Sequence, residues 1–123
     1  MASLAEKGVA PKVVDDQRGR LTFATEIARL IRTLVETRPS FGVYNLTSEG
    51  EVVTWADVAR RVFELAGHDP ARVTGVSTEQ YFASATSPVA PRPLNSVLDL
   101  TRVHGIGFRP RAGDDLLREY LSP

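Results

Sequence analysis

The sequence predicts an α/β fold, because short strand-like segments alternate with helices along the chain. Apolar residues recur at helical spacing over residues 23–37 and 55–66. Three short stretches of β-branched and aromatic residues lie around these helices, at 12–15, 41–46 and 73–77. Strands that are so few and so short make a poor sheet by themselves. We therefore expect an α/β piece that needs a partner to complete its sheet.

The first half of the chain is expected to hold one short and one long helix. A helix over residues 1–8 has no N-terminal capping residue, so it resembles the last turns of a longer helix. After the first strand, residues 16–20 form a polar loop. In the helix over 23–37, Thr22 can accept hydrogen bonds from the first free amides, and Pro39 follows the end.

The helix over residues 55–66 has signals at both of its ends. Thr54 and Asp57 have the spacing of a capping box, and Gly67 stands where a left-handed C-terminal cap is needed. Trp55 begins the apolar stripe of this helix. We interpret Trp55 as a core anchor rather than a ligand-stacking residue, because the other members of its stripe are core types.

The last third of the chain is expected to contain less regular structure. Residues 78–82 suggest one helical turn, and the proline-rich stretch 84–93 suggests a loop. Residues 96–98 are extended, and Asp99 can then cap a short helix. A final helix is expected over 114–121.

Length and composition limit the functions that this chain can have. Its 123 residues are enough for one core, so we treat 1–123 as a single domain. Fifteen basic and fifteen acidic residues cancel, which disfavours a general binder of nucleic acid or of anionic membranes. There is no cysteine for a thiol nucleophile or a thiolate metal site. No long apolar run or signal peptide is present, so we expect a cytoplasmic protein.

Acidic and histidine side chains give no candidate for catalysis. Asp15 and Asp16 are adjacent at a strand end and point to opposite faces, so we expect them to be solvated. His68 and His104 are the only histidines, and neither lies in a cluster with ligand spacing. We expect both histidines at the surface and no metal site.

Arginine is the residue type that leaves a binding role open. Arg18, Arg20 and Arg92 lie in predicted loops without a matching acid nearby in the sequence. A guanidinium suits phosphate oxygens, with which it makes two-point contacts. Pro91 and Pro93 stiffen the backbone on both sides of Arg92. From chemistry alone, a ligand role and an ordinary solvated arginine are equally open for Arg92.

No complete catalytic set is present in the sequence. The nine glycines form neither Gly-x-x-Gly-x-x-Gly nor Gly-x-Gly-x-x-Gly, so no phosphate-cradling loop is expected. No tyrosine is followed four residues later by lysine, and no Gly-x-Ser-x-Gly elbow occurs.

Several separate segments, in order, resemble one enzyme family. These segments are residues 13–22, 42–47, 54–59, 91–99 and 107–110. Together they are similar to the C-terminal part of dTDP-4-dehydrorhamnose reductases, which are extended short-chain dehydrogenase/reductases. The actinobacterial form, often fused to the preceding 3,5-epimerase, is the most similar. The loop from Gln17 to Gly19 and the run from Arg92 to Asp99 carry most of this resemblance.

The resemblance implies an α/β substrate-binding part without the N-terminal Rossmann half. In the family, that half supplies the glycine-rich turn for NADPH and the tyrosine acid of a Tyr-x-x-x-Lys pair. We therefore expect no catalytic residue and no cofactor site in this chain, with NADPH bound by the intact parent. The parent would reduce the 4-keto group of dTDP-4-dehydrorhamnose to give dTDP-L-rhamnose. Met1 would fall inside a helix of the family, so we expect the chain to be a fragment.

The resemblance also implies five substrate-binding residues. Arg92 corresponds to an arginine that contacts the diphosphate in related nucleotide-sugar enzymes. Asn95 and Ser96 stand near enough to Arg92 to add neutral hydrogen bonds. Gln17 and Arg20 would approach the same cleft from the other loop.

Two functional classes therefore stay open for the chain by itself. It can be the dTDP-sugar-binding portion of a reductase, or a non-catalytic reductase-like module that acts by protein contact. In either class, residues 13–14 and 43–46 would lose the cover of the missing half. We expect the chain to self-associate through such surfaces.

Overall fold

The computed structural model describes residues 1–122, which form a mixed helix and strand fold, as predicted. The elements are α1 (Ala2–Glu6), β1 (Lys12–Val14), β2 (Arg18–Gly19), α2 (Ala24–Thr37), β3 (Val53–Thr54), α3 (Trp55–Leu65), a 3-10 turn (Pro70–Arg72), β4 (Thr74–Val76), α4 (Thr78–Phe82), α5 (Thr101–Gly105) and α6 (Gly113–Leu121). They belong to two compact units, each made of separate stretches of sequence. The first unit comprises residues 1–19, 52–96 and the end of α6 from 121, and the second comprises 20–51 and 97–120.

The first unit is built on two small strand pairs and α3. β1 and β4 run parallel, with Val13 opposite Gly75, and β2 pairs antiparallel with β3. α3 follows β3 directly and buries Phe63 completely. Its apolar face closes a core with α1, β1 and the turn before β4, formed by Ala5, Val13, Ala56, Ala59, Phe63 and Val73. Val13 and Val14 are therefore covered within this chain, which corrects the expectation that residues 13–14 lie bare without the missing half.

The second unit gathers around one face of α2. Leu30 lies buried there with residues of α5 and of the turn that follows it, namely Leu100, Val103 and Phe108. Half-buried side chains extend this cluster: Leu34, Tyr44, Leu46 and Ile106. The adjoining side of the same apolar stripe leaves Ile27, Ile31 and Val35 exposed. The amphipathic pattern of the sequence thus correctly predicts a helix here. Only part of its apolar stripe is covered by other residues of the second unit.

Local end signals are confirmed at α3. The Thr54 hydroxyl accepts a hydrogen bond from the Asp57 amide, and the Asp57 carboxylate accepts one from the Thr54 amide. Gly67 has a φ of +75°, as expected just after the helix.

The strand at 73–77 and the turn at 78–82 are confirmed as β4 and α4. The Asp99 carboxylate accepts a hydrogen bond from the Thr101 amide at the start of α5, but Leu100 takes the N-cap position, so the predicted cap by Asp99 is wrong.

Three further expectations about local structure are wrong. Residues 41–46 form no strand, because no chain segment among the described residues offers backbone groups to pair with them. Thr22 does not cap α2, since its hydroxyl donates to the hydroxyl of Thr47 and Phe23 takes the capping position. Trp55 is no core anchor: it is 55% exposed, while Ala56 of the next position is buried.

The loop at 16–20 differs from its prediction in one respect. Residues Arg18 and Gly19 form β2, with Arg18 opposite Thr54. A two-residue strand depends on a partner 36 positions away, so local composition does not reveal it.

Candidate functional site

Two of the predicted site residues lie against β2 in the first unit. The carbonyl oxygen of Arg18 accepts hydrogen bonds from the Ser96 amide at 2.9 Å and from the Ser96 hydroxyl at 3.1 Å. The Arg18 amide donates to the carbonyl of Leu94 at 2.8 Å, and Arg18 and Asn95 form a parallel β-bridge. The structure therefore brings Asn95 and Ser96 to the loop that contains Gln17.

Gly19 permits this close approach. A Cβ atom at position 19 would lie 2.6 Å from the hydroxyl oxygen of Ser96, which is shorter than real Cβ contacts. Any side chain at position 19 would displace the Ser96 hydroxyl and disturb the hydrogen bond that it donates to the Arg18 carbonyl. This accounts in physical terms for the glycine in the Gln17–Gly19 motif.

Gln17 is buried, and its amide group is engaged within the first unit. Its Nε2 donates to the Thr78 hydroxyl at 2.9 Å. That hydroxyl donates in turn to Asp16 Oδ1 at 2.6 Å, and the Thr78 amide donates to Asp16 Oδ2 at 2.8 Å. These bonds from Thr78 hold the pKa of Asp16 below its ordinary value. Asp16 is thus a structural link to α4 rather than a solvated carboxylate, which corrects the expectation from sequence.

Arg92 stands in the exposed stretch before Asn95. Within residues 1–122 its guanidinium makes no hydrogen bond or ion pair. The structure does not join Arg92 to the other candidate residues through any side-chain contact. An exposed guanidinium between Pro91 and Pro93 remains available to an anion from solution.

Arg20 belongs to the second unit. Its Nε donates to the carbonyl of Gly50 at 3.0 Å. It lines a cleft of about 370 Å³ together with Glu49, Gly50, Leu98, Asp99, Leu100 and His104. The idea that Arg20 and Gln17 approach one cleft stays a prediction.

The cleft beside Arg20 contains a close acid–histidine pair that sequence reading missed. His104 Nε2 lies 2.7 Å from Glu49 Oε1, and both side chains are about one third exposed. The hydroxyl and amide of Thr101 donate to Asp99 and lower its pKa, with a smaller effect from nearby His104. His104 is therefore held beside Glu49 rather than simply solvated, although its buried Nε2 makes no hydrogen bond among the described residues. Glu49 and His104 are 55 positions apart, so no spacing pattern in the sequence indicates the pair.

A second cleft, of about 470 Å³, lies along α2 and is lined by three arginines. Arg29 pairs with Glu26, and Arg32 pairs with Glu36. Arg109 donates to the carbonyls of His104 and Phe108. Each of these arginines already bonds to an acidic side chain or to backbone carbonyls of the second unit. We therefore interpret the cluster as one that stabilises this unit.

The described residues show no arrangement for a metal ion or for a membrane span. Up to Ser122, no three His, Asp or Glu side chains are grouped as metal ligands. The longest helix of this part, α2, has 14 residues, and no helix here is long and apolar enough to cross a bilayer.

A family model described as the RmlD substrate binding domain matches residues 1–123. The chain belongs to this family. The spore coat polysaccharide biosynthesis protein SpsK of Bacillus subtilis is 33% identical over 122 residues, which are 99% of this chain and 40% of that protein. The predicted resemblance to dTDP-4-dehydrorhamnose reductases is thereby confirmed at the level of the family.

Solved structures of such reductases have the same fold. A dTDP-4-dehydrorhamnose reductase ortholog from Clostridium acetobutylicum is 27% identical, with a TM-score of 0.82 over 98% of this chain and 42% of its own. A Bacillus anthracis dTDP-4-dehydrorhamnose reductase, crystallised in complex with NADP, is 24% identical, with a TM-score of 0.79 over 96% and 39%. This RmlD-family chain therefore spans about two fifths of the length of the relatives it matches.

Proposed function

We propose that this chain binds the dTDP-sugar substrate of a dTDP-4-dehydrorhamnose reductase. The observation that carries the proposal is the match of the whole chain to the RmlD substrate binding domain. The docking of Asn95 and Ser96 on β2 supports it, because a binding loop needs a rigid support. Within this proposal, the intact reductase converts the 4-keto sugar to dTDP-L-rhamnose with hydride from NADPH, in the cytoplasm.

Arg92 is proposed to contact the diphosphate. A guanidinium can donate two parallel hydrogen bonds to phosphate oxygens, and the flanking prolines limit the entropy lost when it does so.

The Ser96 hydroxyl donates its proton to the Arg18 carbonyl, so its oxygen lone pairs can accept a bond from a sugar hydroxyl. Gln17 is proposed to act by fixing the loop through Thr78, since its amide is buried and bonded there.

The residues of this chain do not fit NADPH. The parallel strand β4 is followed by the five-residue α4, with Ser77 as its cap and no glycine between them. A dinucleotide pyrophosphate requires a glycine-rich turn at a helix N-terminus. We therefore derive no hydride-transfer step for this chain.

Binding of dTDP to the purified chain tests the proposal. In an NMR titration, we expect the amide signals of Arg92, Leu94, Asn95 and Ser96 to shift as dTDP is added. Arg92→Ala should weaken binding by about ten- to a hundredfold, the effect of losing one or two charged hydrogen bonds. Arg32→Ala is the matched control, because Arg32 is an exposed arginine on α2 in the second unit.

The same titration distinguishes the proposed substrate-binding function from the alternative, a module that acts only by protein contact. A module that acts only by protein contact would leave the 92–96 signals unchanged at millimolar dTDP. That result would refute the proposed substrate role and favour the non-catalytic alternative.

A further inference from the structure

The proline-rich loop over residues 84–93 is fastened at both of its ends to one short segment, residues 16–18. Before the loop, Thr78 of α4 bonds to side chains of this segment. After the loop, the Leu94 carbonyl and the Ser96 amide bond to its backbone. All of these residues belong to the first unit. An irregular loop that is closed at its base in this way has lost part of its conformational freedom before any ligand arrives.

Thr78 forms the attachment at the start of the loop, and its hydroxyl both donates and accepts a hydrogen bond. The hydroxyl donates to Asp16 Oδ1 at 2.6 Å and accepts from Gln17 Nε2 at 2.9 Å. The Thr78 amide donates to Asp16 Oδ2 at 2.8 Å, so both oxygens of this carboxylate are bonded to Thr78. Loss of the hydroxyl removes one bond from Asp16 and one from Gln17. The second loss is costly, because the Gln17 side chain is buried.

Arg18 forms the attachment at the end of the loop through its backbone. Its amide donates to the Leu94 carbonyl at 2.8 Å, and its carbonyl accepts from the Ser96 amide at 2.9 Å. Arg18 follows Gln17 directly in the sequence, and Leu94 stands two positions after Arg92. A single peptide bond therefore separates the residue that Thr78 holds from the residue that holds the end of the loop. A displacement of Gln17 shifts the Arg18 backbone and, with it, the residues that bond there.

We propose that Thr78 is a positioning residue for dTDP-sugar binding: its hydroxyl fixes Asp16 and Gln17 and, through Arg18, holds residues 92–96 in their binding conformation. This inference rests on the proposed function, which gives the residues of 92–96 their role toward the substrate. Thr78 acts through its neighbours and makes no contact of its own with the ligand. The hydroxyl is the group that matters, because valine has nearly the same shape as threonine but can neither donate nor accept a hydrogen bond.

Two measurements on Thr78→Val test this role: calorimetric titration of the purified chain with dTDP, and hydrogen exchange of the Arg18 and Ser96 amides. We expect dTDP binding to weaken by about three- to tenfold, the effect of losing one neutral hydrogen bond. The Arg18 and Ser96 amides should exchange about tenfold faster, because their bonds at the base of the loop open more often. Thr78→Ser keeps the hydroxyl and should restore both values. Asp16→Asn is a second variant that disturbs the same contact from its other side and should act like Thr78→Val.

Ser77→Ala is the matched control, because Ser77 is the neighbouring residue and its hydroxyl caps α4 by accepting the Gln80 amide. This variant should lower the Tm and leave dTDP affinity unchanged. Equal weakening of binding by Ser77→Ala and Thr78→Val would overturn the proposal, since the stability of α4 would then explain both. Unchanged affinity and exchange in Thr78→Val would overturn it too.

A failure of the proposed function gives a different result. In that case the unaltered chain binds no dTDP at all. The exchange rates of the Arg18 and Ser96 amides in Thr78→Val still decide whether Thr78 holds the loop, because they are measured without a ligand.

Discussion

Glu26 carries a charge in a buried position of the second unit. It is 1% exposed, and its two carboxylate oxygens accept hydrogen bonds from Arg29 Nη1 at 2.7 and 2.6 Å. The Arg111 amide donates to Oε2 at 3.0 Å. Burial alone would raise the pKa of Glu26, but the bonds from Arg29 and Arg111 outweigh it and hold the pKa below 4.5. Glu26 thereby joins α2 to the segment before α6.

Glu26→Gln should destabilise the chain at neutral pH by about 1–3 kcal/mol, because glutamine keeps only one acceptor oxygen, carries no charge and turns an NH2 group toward the donors of Arg29 and Arg111. A carboxyl with a lowered folded pKa stabilises the fold above its unfolded pKa and ceases to do so as pH falls through the folded value. The difference between the two proteins should therefore shrink below pH 4.5. Urea unfolding at pH 7 and in acid measures this difference.

The exposed pair of Arg32 and Glu36 supplies the control for Glu26. Glu36→Gln should change stability little at either pH, because exposed ion pairs contribute little. An equal loss for Glu26→Gln at neutral and acid pH would show that packing, rather than the charge, matters at this position.

Arg92→Ala should raise KM for the dTDP-sugar by roughly ten- to a hundredfold in a reductase that includes this chain. Arg92→Lys should restore only part of the loss, because an ammonium cannot make the two-point contact. KM for NADPH should not change. Steady-state kinetics with each substrate varied separately measures these constants. An unchanged sugar KM together with a lower Tm would make Arg92 a structural arginine.

The partners of individual residues could not be predicted from the sequence. The prolines around Arg92 and the guanidinium itself leave an anion contact open, and that contact stays a prediction. The bond of Gln17 to Thr78 spans 61 positions, and that of Ser96 to Arg18 spans 78. No local pattern encodes such a separation, so Asp16 and Gln17 could not be recognised as bonded to α4.

At the scale of elements, α3 was the most predictable part of the chain. Its limits depend on neighbours in sequence: Thr54 with Asp57 at one end and Gly67 at the other. The segment 41–46 shows the opposite case. Its composition favours a strand, but a strand exists only when another backbone pairs with it. Trp55 was misplaced for a related reason, because burial depends on what covers a helix face rather than on the stripe alone.

Thr54→Ala should destabilise the chain by about 0.5–2 kcal/mol, because the Asp57 amide loses its capping acceptor. Guanidinium unfolding at neutral pH measures the change. Thr33→Ala, within α2, is the matched substitution, and its hydroxyl only donates back to the Arg29 carbonyl. Alanine favours the helix interior, so this variant should lose no stability. Equal losses at the two positions would contradict the capping argument.

At the scale of the whole molecule, the order of motifs predicted the family that the comparison then found. Five segments spread from residue 13 to residue 110 agree on one family, although none is decisive alone. Composition and periodicity alone predicted only an α/β piece. The substrate class entered through the resemblance, because no residue pattern in the chain encodes a sugar or a base.

The purified chain should neither bind NADPH tightly nor oxidise it in the presence of dTDP-4-dehydrorhamnose. It has no glycine-rich turn to hold the pyrophosphate and no tyrosine–lysine pair to supply a proton. Nicotinamide fluorescence measures binding, and absorbance at the nicotinamide band measures turnover. Saturable binding at micromolar NADPH, or steady turnover, would contradict this expectation.

Each of the two units is made of stretches that lie far apart in the sequence, and this affects how the chain folds while the ribosome synthesises it. Leu30 of α2 meets Leu100, which is translated 70 residues later. At about 5–20 residues per second, roughly 4 to 14 s pass before this contact can form. The first unit likewise cannot pair β1 with β4 until residue 76 has emerged. During these seconds Leu30 lacks its native partners from α5 and the turn after it, so part of the apolar side of α2 stays exposed on the nascent chain.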